Sequence, residues 1–459
     1  MIEMKKTALS ILFLVLAMTA SAQVFKTGYF LDNYSYGYRI NPSLMPEKSF
    51  LGVALTNVSV SPESNMGAGA LLFPTSDGKL VTGFNSAVSS SDFLGGINGS
   101  GAIGAEASLN ILSVGIRKNR SFGNFEINAR AIADAYIPYD LFAALKVGTS
   151  PETYNLSNTS ADAKVFLEVA YGKAFMIGDI VTVGVKGKAL FGLGSVNAGA
   201  SDFDLDLGEE AIRTEGDAYI NKSSRYIGYN KTENGCLDLE SIEFIPKYFG
   251  PTGYGFALDL GVTVTPVRNL SVSLGVLDFG GISWKYDMMA ESHGGFEYTG
   301  DNEIDLQNPS ESFESISRKL EDLSTLSEFK LREGEVKKFE SLPLTANLGV
   351  KYTFLHDIFS VGMLATHKSG RLFKSNEIRA GISATPIKWF SIAGSYGTGT
   401  FGPNMGAGIS LNIATFNLHA GVDLYSGKVG TYNNLPVIPI DRFQACANVG
   451  LNLTFGERH

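Results

Sequence analysis

The sequence predicts an all-β transmembrane protein: an antiparallel β-barrel of 14–16 strands with a signal peptide and long outer loops. Three observations predict this class. Apolar and polar residues alternate with period two along most of the chain, an apolar leader precedes that pattern, and the connections between predicted strands are alternately short and long. A net charge of −9 argues against a nucleic-acid partner, and 44% hydrophobic residues argue against a disordered chain.

Residues 1–22 are typical of a secretory signal peptide. Lys5 and Lys6 precede the apolar run of residues 8–17, and small residues end the segment at Ala22. This order predicts cleavage between Ala22 and Gln23. The run is shorter than the roughly 18 residues that a membrane-spanning helix needs. The leader therefore predicts export, and the mature chain would begin at Gln23.

Residues 23–48 form a separate N-terminal segment ahead of the first predicted strand. The segment contains six aromatic residues between Phe25 and Tyr38, which is unusual for a solvated tail, and Pro42 and Pro46 stiffen it. We expect it to act as a periplasmic or plug segment that tucks into or under the barrel. The barrel itself is predicted to span residues 49–459.

The alternation is clearest in four segments, residues 256–265, 270–276, 344–354 and 416–425, and a further strand, the closing one, is predicted at residues 443–455. In the closing strand, the odd positions are mostly large and apolar, whereas the even positions are small or polar. Only helices and closed sheets can satisfy every backbone group in lipid. Because glycines and Pro403 interrupt the long uncharged stretch 389–418, a closed barrel is the predicted form.

The polar face of these strands is rich in Gly, Ser, Thr and Asn, as a barrel lumen would be. The residues predicted to face the lumen are Glu126, Arg130, Asp134, Lys186, Lys188, Asp259, His419 and Asp423. Aromatic residues near predicted strand ends match the girdles of such barrels; they include Tyr171, Tyr254, Trp284, Trp389 and Phe455. A soluble sandwich or propeller also alternates, but no blade-like repeat of about 40 residues is present.

The lengths of the connections predict the topology. Short turns are expected on the periplasmic side and long loops on the outer side. Counted in this way, the chain has 16 strands with both termini periplasmic, or 14 if residues 66–73 and 79–88 belong to a loop. The long connections are residues 138–162, 193–253, 285–341, 368–376 and 426–442. Helical spacing within residues 303–340 predicts a short amphipathic helix in the longest outer loop.

Two motifs, together with the overall layout, resemble a known family. The motifs are Gly37 to Pro46, which reads GYRINPSLMP, and Leu277-Asp278-Phe279-Gly280, which is followed by Trp284. The chain resembles an uncharacterised family of outer-membrane barrels from Bacteroides-like bacteria, classed as a domain of unknown function. More distantly, it resembles the FadL-like fatty-acid transporters. The resemblance implies a barrel in an outer membrane and supplies no activity.

No motif predicts an enzyme, a cofactor or a metal site. Two G-x-G-x-x-G matches, at residues 99–104 and 397–402, are not followed by a helical pattern, so they do not predict a nucleotide site. His419 and Asp423 share one strand face, which fits either a hydrolase pair that lacks an assigned serine or a lumen hydrogen-bond network. The alternating Asp202, Asp204 and Asp206 fit a calcium loop or a solvated loop. Whether Cys236 pairs with Cys446 stays open.

Two functions are consistent with these features. The first is passive transport of small molecules, hydrophobic ones among them. The second is a structural or secretion-accessory barrel that presents outer loops 193–253 and 285–341 to protein partners. Cross-paired lumen charges would favour the second function, whereas a lateral gap or an apolar pocket would favour the first. Either function implies a Gram-negative outer membrane and contact with its lipid.

Overall fold

A computed structural model of the chain provides the structure. It describes residues 25–53, 57–74, 80–97, 99–150, 153–208, 211–245, 250–299, 328–332, 334–372, 374–426, 429–432, 435–439 and 442–457. The predicted signal peptide, with its cleavage site at Ala22 and Gln23, lies outside these residues.

Fourteen antiparallel strands within the described residues form a closed barrel. The first strand closes on the last, with Phe50 opposite Thr454. The strands are β1 (Ser49–Val53, continued by Val58–Ser64), β2 (Gly101–Lys118), β3 (Ser121–Ile137), β4 (Ser160–Ile177), β5 (Val181–Leu207), β6 (Gly253–Val267), β7 (Leu270–Tyr286), β8 (Leu344–Phe354), β9 (Phe359–Ser369), β10 (Lys374–Ile387), β11 (Phe390–Gly399), β12 (Gly402–Ile413), β13 (Phe416–Ser426) and β14 (Phe443–Phe455).

The all-β barrel prediction is confirmed, and the lower of the two strand counts is the correct one. The described residues of the two segments on which the count depends, 66–73 and 80–88, do not enter the wall. They include helix α1 (Ala68–Leu71) and a short hairpin of Leu72–Pro74 and Leu80–Thr82. Helix α2 (Ser90–Gly95) packs beside this hairpin. Helix α3 (Tyr139–Val147) lies in the long connection that follows β3.

The short turns lie at the end of the barrel where Ser49 and Phe455 meet. Three consecutive residues, Leu355 to Asp357, have positive φ in the turn between β8 and β9. Such backbone angles allow a tight reversal between neighbouring strands. The long connections lie at the opposite end of the barrel. Since long loops are expected on the outer side, that end is called the outer side below.

On the outer side, the sheet continues beyond the barrel wall. The end of β5 pairs with Ala211–Ser224, and that strand pairs with Met288–Thr299. Val336–Ser341 pairs with the end of β7. The smaller outer strands are Tyr154–Asn155, Ile227–Lys231, Leu237–Phe244, Lys330–Leu331, Val429–Tyr432 and Leu435–Pro439. The helical spacing within 303–340 that predicts a short amphipathic helix lies at residues 313–323, which are outside the described residues.

The outward face of the wall is apolar, and the inward face is buried. In β14 the side chain of Leu451 is 48% exposed, whereas that of its neighbour Asn452 is 2% exposed. The same alternation continues along the strand. Exposed apolar side chains around the wall are typical of a lipid-facing surface. Within the described residues, no helix combines the length and the apolar character needed to cross a bilayer.

One aromatic residue departs from the predicted girdle. A β-bulge interrupts β7, where Leu258 pairs with Phe279 but Leu260 pairs with Val276. Asp278 lies in the bulge with φ of 61°. The extra residue inverts the phase of the strand beyond it. Trp284 is therefore fully buried rather than lipid-facing, so that part of the girdle prediction is wrong.

Candidate functional site: the occupied lumen

Residues 25–48, called here the lumen segment, run inside the barrel. The segment contains two short 3-10 helices, Lys26–Tyr29 and Gly37–Arg39. Its aromatic side chains form one buried cluster with inward residues of the wall. They are Phe25, Tyr29, Phe30, Tyr34, Tyr36 and Tyr38. The lumen is thus filled by the chain's own N-terminal residues.

Lumen-facing glycines make room for these aromatic rings. A Cβ added at Gly421 would overlap the ring of Phe25, and one added at Gly381 would overlap the ring of Phe30. The glycine requirement here comes from close approach, because φ is not positive at these positions. The glycines that would meet Phe25, Tyr29 or Phe30 are Gly349, Gly362, Gly381, Gly408 and Gly421.

Replacing Gly421 with leucine should displace the start of the lumen segment. The leucine side chain would need the space of the Phe25 ring, and such overpacking costs about 1–3 kcal/mol. We expect trypsin to cleave the folded variant after Lys26, a residue that is buried in the native protein. Gly394→Leu is the matched control, because a Cβ at Gly394 meets only one atom, at 3.9 Å. Equal resistance of both variants at Lys26 would contradict this role for Gly421.

Hydrogen bonds and ion pairs tie the lumen segment to strands around the wall. The backbone N–H of Lys26 donates to Asp423 of β13 at 2.7 Å. Lys351 of β8 donates to Asp32 at 2.7 Å. The hydroxyls of Ser43 and Thr263 lie 2.7 Å apart. Because these contacts reach widely separated strands, they hold the segment across the lumen.

The first charge cluster joins the segment to β3 and β5. Glu126 is fully buried and accepts from the guanidinium of Arg39, at 2.8 Å from Nε. Lys186 donates to the other carboxylate oxygen, and the Tyr38 hydroxyl also donates to Glu126, at 2.9 Å. A buried carboxylate requires such partners, since an unpaired buried charge is very costly.

A second cluster crosses the lumen between β3 and β7. Arg130 donates to both oxygens of Asp278, at 3.0 and 3.1 Å, and to Glu168 at 3.1 Å. Lys188 lies 2.6 Å from Asp278 and 2.7 Å from Asp259. These residues alternate in sign, so each charge has an opposite partner.

A third cluster lies nearer the outer side. Arg379 is fully buried and pairs with Asp423 at 2.7 Å. Glu377 accepts from Lys26 at 2.9 Å. Asp134 lies at the outer end of β3 and pairs with Arg371 from the connection between β9 and β10. Asp423 therefore belongs to this cluster and also anchors the lumen segment.

His419 and Asp423 do not form a catalytic pair. The Nε2 of His419 lies 3.0 Å from the amide nitrogen of Asn57, and the imidazole packs against the rings of Tyr34 and Tyr36. Asp423 instead binds Arg379 and the lumen segment. Both side chains therefore belong to the lumen network.

Several charged lumen residues are absent from the set predicted from the sequence. Glu168 lies on an inward position of a predicted strand, so alternation alone could have found it. Lys368 lies near the end of β9, but the prediction assigned residues 368–376 to a connection, so the predicted strand stopped short of it. Lys368 pairs with Glu106 and lies 3.8 Å from Glu63. Asp278 gives no such signal, because the bulge of β7 turns its side chain inward out of phase.

Two cavities of about 350 and 200 Å³ lie beside the lumen segment toward the short turns, and two smaller ones lie among the charge clusters. Of the smaller two, one of about 80 Å³ is lined by Arg39, Lys186 and other charged residues. The other, of about 40 Å³, shares Arg130, Leu277 and Asp278 with the first. Since a water molecule needs about 10–15 Å³ of such space, the smaller cavities suit a few waters in a polar setting.

The remaining sequence candidates are dispersed. Cys236 and Cys446 do not form a disulfide with each other: Cys236 lies in an outer connection and Cys446 lies in the lumen. Asp202, Asp204 and Asp206 lie along the outer extension of β5. His293 is exposed on the outer side, and its hydrogen bond with Asp217 raises the pKa of His293. In the described part of the chain, no three His, Cys, Asp or Glu side chains form a metal-binding group.

These features define a class: a closed antiparallel barrel with an apolar outer wall and a lumen occupied by its own N-terminal segment. Residues 42–423 match the model of a family of unknown function, DUF5723. The chain therefore belongs to that family, which confirms the assignment to a barrel family without a known activity.

Solved structures with a similar fold include hydrocarbon transporters and a FadL homologue. The chain is similar to the toluene transporter TbuX of Ralstonia pickettii, with 11% identity, a TM-score of 0.47, and coverage of 96% of this chain and 97% of that chain. It is also similar to a FadL homologue of Pseudomonas aeruginosa, with 10% identity, a TM-score of 0.43, and coverage of 95% and 99%. A search of curated protein sequences finds no match.

Proposed function

We propose that the protein is an outer-membrane barrel with a closed lumen, whose outer strands bind a protein partner. The observation that carries this proposal is the occupied lumen, in which the aromatic side chains of the lumen segment are buried against the wall and cross-paired charges surround it. Such packing favours a structural or secretion-accessory barrel over an open transporter.

The apolar outer wall supports a membrane location, and the predicted leader supports export. A closed barrel with an apolar belt is the form in which sheets cross lipid. We infer that the mature protein begins at Gln23 and resides in a Gram-negative outer membrane, in contact with its lipid. The lumen segment then serves as a plug that belongs to the chain itself.

The chemistry of the lumen disfavours passage of apolar molecules in this state. The cavity of about 80 Å³ is lined by the cations Arg39, Arg130 and Lys188 and by the carboxylates of Glu168, Asp259 and Asp278. An apolar molecule placed there would separate buried charges from their partners, which is costly. A lumen adapted to hydrophobic ligands would instead be lined mainly by apolar side chains.

The outer hairpin formed by Ile227–Lys231 and Leu237–Phe244 offers a surface for a partner. It carries exposed apolar side chains at Leu239, Ile242 and Phe244, the last of which is 71% exposed. Large exposed apolar side chains in a region surrounded by water often mark an interaction site. The partner is therefore expected to contribute apolar contacts at this hairpin.

Photo-crosslinking in intact cells tests the proposal. A benzophenone amino acid at position 244 should give one discrete protein adduct, and the additional substitutions Leu239→Ser and Ile242→Ser should abolish it. The same probe at Glu233, in the turn of that hairpin, is the control for general proximity. If position 244 gives no specific adduct in correctly folded protein, the partner-binding proposal is wrong.

A second candidate is passive transport of small molecules after the lumen segment moves. Two observations favour it. The two small polar cavities share the lining residues Arg130, Leu277 and Asp278. The lumen segment contains no cysteine, so no disulfide ties it to the wall. Swelling of proteoliposomes in isosmotic solutions of small sugars tests this function. Swelling by the unmodified protein would support transport, and its absence would support the closed barrel.

A further inference from the structure

A groove lies on the outward wall of the barrel, away from the outer hairpin; the inward residues Asn347 and Thr366, which also line the smallest lumen cavity, lie at its base. Its volume is about 640 Å³, within the usual range for ligand sites. The outward residues that line it are Leu274, Ala346, Leu348, Ala365, His367, Asn376, Ile378 and Thr398, with Thr400 at its upper end. It therefore spans β7 to β11.

Small residues create the depth of the groove. Ala346 and Ala365 form its floor, because each lies beside a larger outward residue on the paired strand: Ala365 is opposite Leu348. Leu348 and Ile378 stand 53% and 45% exposed at its sides. The lower part of the groove is thus an apolar channel that is open to the surrounding lipid.

The upper end of the groove is polar. His367 and Asn376 lie opposite each other, and the Nδ1 of His367 is 2.7 Å from the side-chain oxygen of Asn376. The backbone N–H of Asn376 donates to the hydroxyl of Thr400 at 3.0 Å. Lys374 is exposed on the same face of β10 as Asn376, two residues nearer the outer end of the strand. Glu377 also borders the groove, but its carboxylate pairs with Lys26 and Arg379 inside the barrel.

The change from apolar to polar coincides with the expected edge of the bilayer. Asn376 lies eleven residues along β10 from Ile387 at the periplasmic end. At roughly 3.3 Å per residue and a tilt near 40°, this distance is about 28 Å along the barrel axis. The apolar band of such barrels is about 25 Å tall. The polar end therefore lies at the level of lipid headgroups, and the channel lies within the hydrocarbon.

We propose that this groove binds one lipid of the outer leaflet, an acyl lipid with a phosphate headgroup. One acyl chain would lie along Ala346 and Ala365, while the amide of Asn376, the imidazole of His367 and the ammonium of Lys374 would bind the phosphate. The occupant is argued from continuity with the lipid-facing wall and from the match of groove polarity to bilayer depth. The proposal rests on the proposed membrane location.

Native mass spectrometry of the full chain, purified from its membrane in mild detergent, tests the site. We expect one phosphate-bearing lipid to remain on the wild type, and its occupancy to fall about fivefold or more in Ala365→Phe, which fills the floor, and in Asn376→Leu. Ala420→Phe, at an outward alanine of β13, is the matched control and should retain the lipid. Heat-modifiable gel mobility of each variant separates loss of lipid from failure to form the barrel.

Two results would overturn the proposal. In one, Ala365→Phe forms a normal barrel and keeps as much lipid as the wild type. In the other, the groove holds a second copy of the chain, seen as a dimer that Ala365→Phe converts to a monomer. Failure of all variants, and of the wild type, to insert into membranes would instead contradict the proposed location.

Discussion

Replacing Asp423 with alanine should lower the free energy of unfolding by about 3–5 kcal/mol, the usual cost of removing one partner from a buried ion pair. Asp423 and Arg379 are both fully buried, so the guanidinium would lose its closest carboxylate. The backbone N–H groups of Lys26 and Thr27 would lose their acceptor as well. Equilibrium unfolding by guanidinium chloride of the protein inserted in lipid vesicles measures the loss of unfolding free energy.

The control for this prediction is the double variant Arg379→Met/Asp423→Leu. Replacing both members of a buried pair by apolar residues is often close to neutral, so the double variant should recover part of the lost stability. Unfolding of Asp423→Ala at the same denaturant concentration as the wild type would contradict the buried pairing. A double variant less stable than the single one would show that other contacts of Asp423 dominate.

Replacing Leu451 with arginine should cost about 2–4 kcal/mol, because an arginine on the lipid face near the midplane loses its hydration. Leu451 points outward, four residues along β14 from Phe455 at the periplasmic end. Phe455→Arg is the matched control on the same face. Since Phe455 lies near the interface, its substitution should cost only about 0–1 kcal/mol.

Refolding yield in lipid vesicles, read by heat-modifiable gel mobility, measures this difference. We expect a marked loss for Leu451→Arg and near-normal folding for Phe455→Arg. Equal yields for the two variants would contradict the orientation of β14 or the depth of Leu451 in the bilayer.

The alternation in the sequence is sufficient to predict the barrel wall and its phase. In β14, each predicted inward residue from Cys446 to Thr454 is buried, because a strand offers only two faces. The weak early pair, 66–73 and 79–88, could not be separated from loop, since a short hairpin outside the wall has the same local pattern.

The contents of the lumen are harder to predict. Period two indicates that Arg130 and Lys188 face inward, but it does not give the stagger of strands that brings Asp278 of β7 to both. The bulge that reorients Asp278 and buries Trp284 has no signature in the alternation. Likewise, Gly381 and Gly421 resemble other lumen glycines until the rings of Phe30 and Phe25 are placed beside them.

Single-channel conductance in a planar bilayer tests the central claim, that the lumen segment closes the barrel. We expect no conductance steps for the full-length protein and discrete steps once residues 25–46 are deleted, provided that gel mobility shows a folded barrel. Steady conductance of the full-length protein would contradict a closed lumen, and a folded deletion variant that stays silent would contradict closure by this segment.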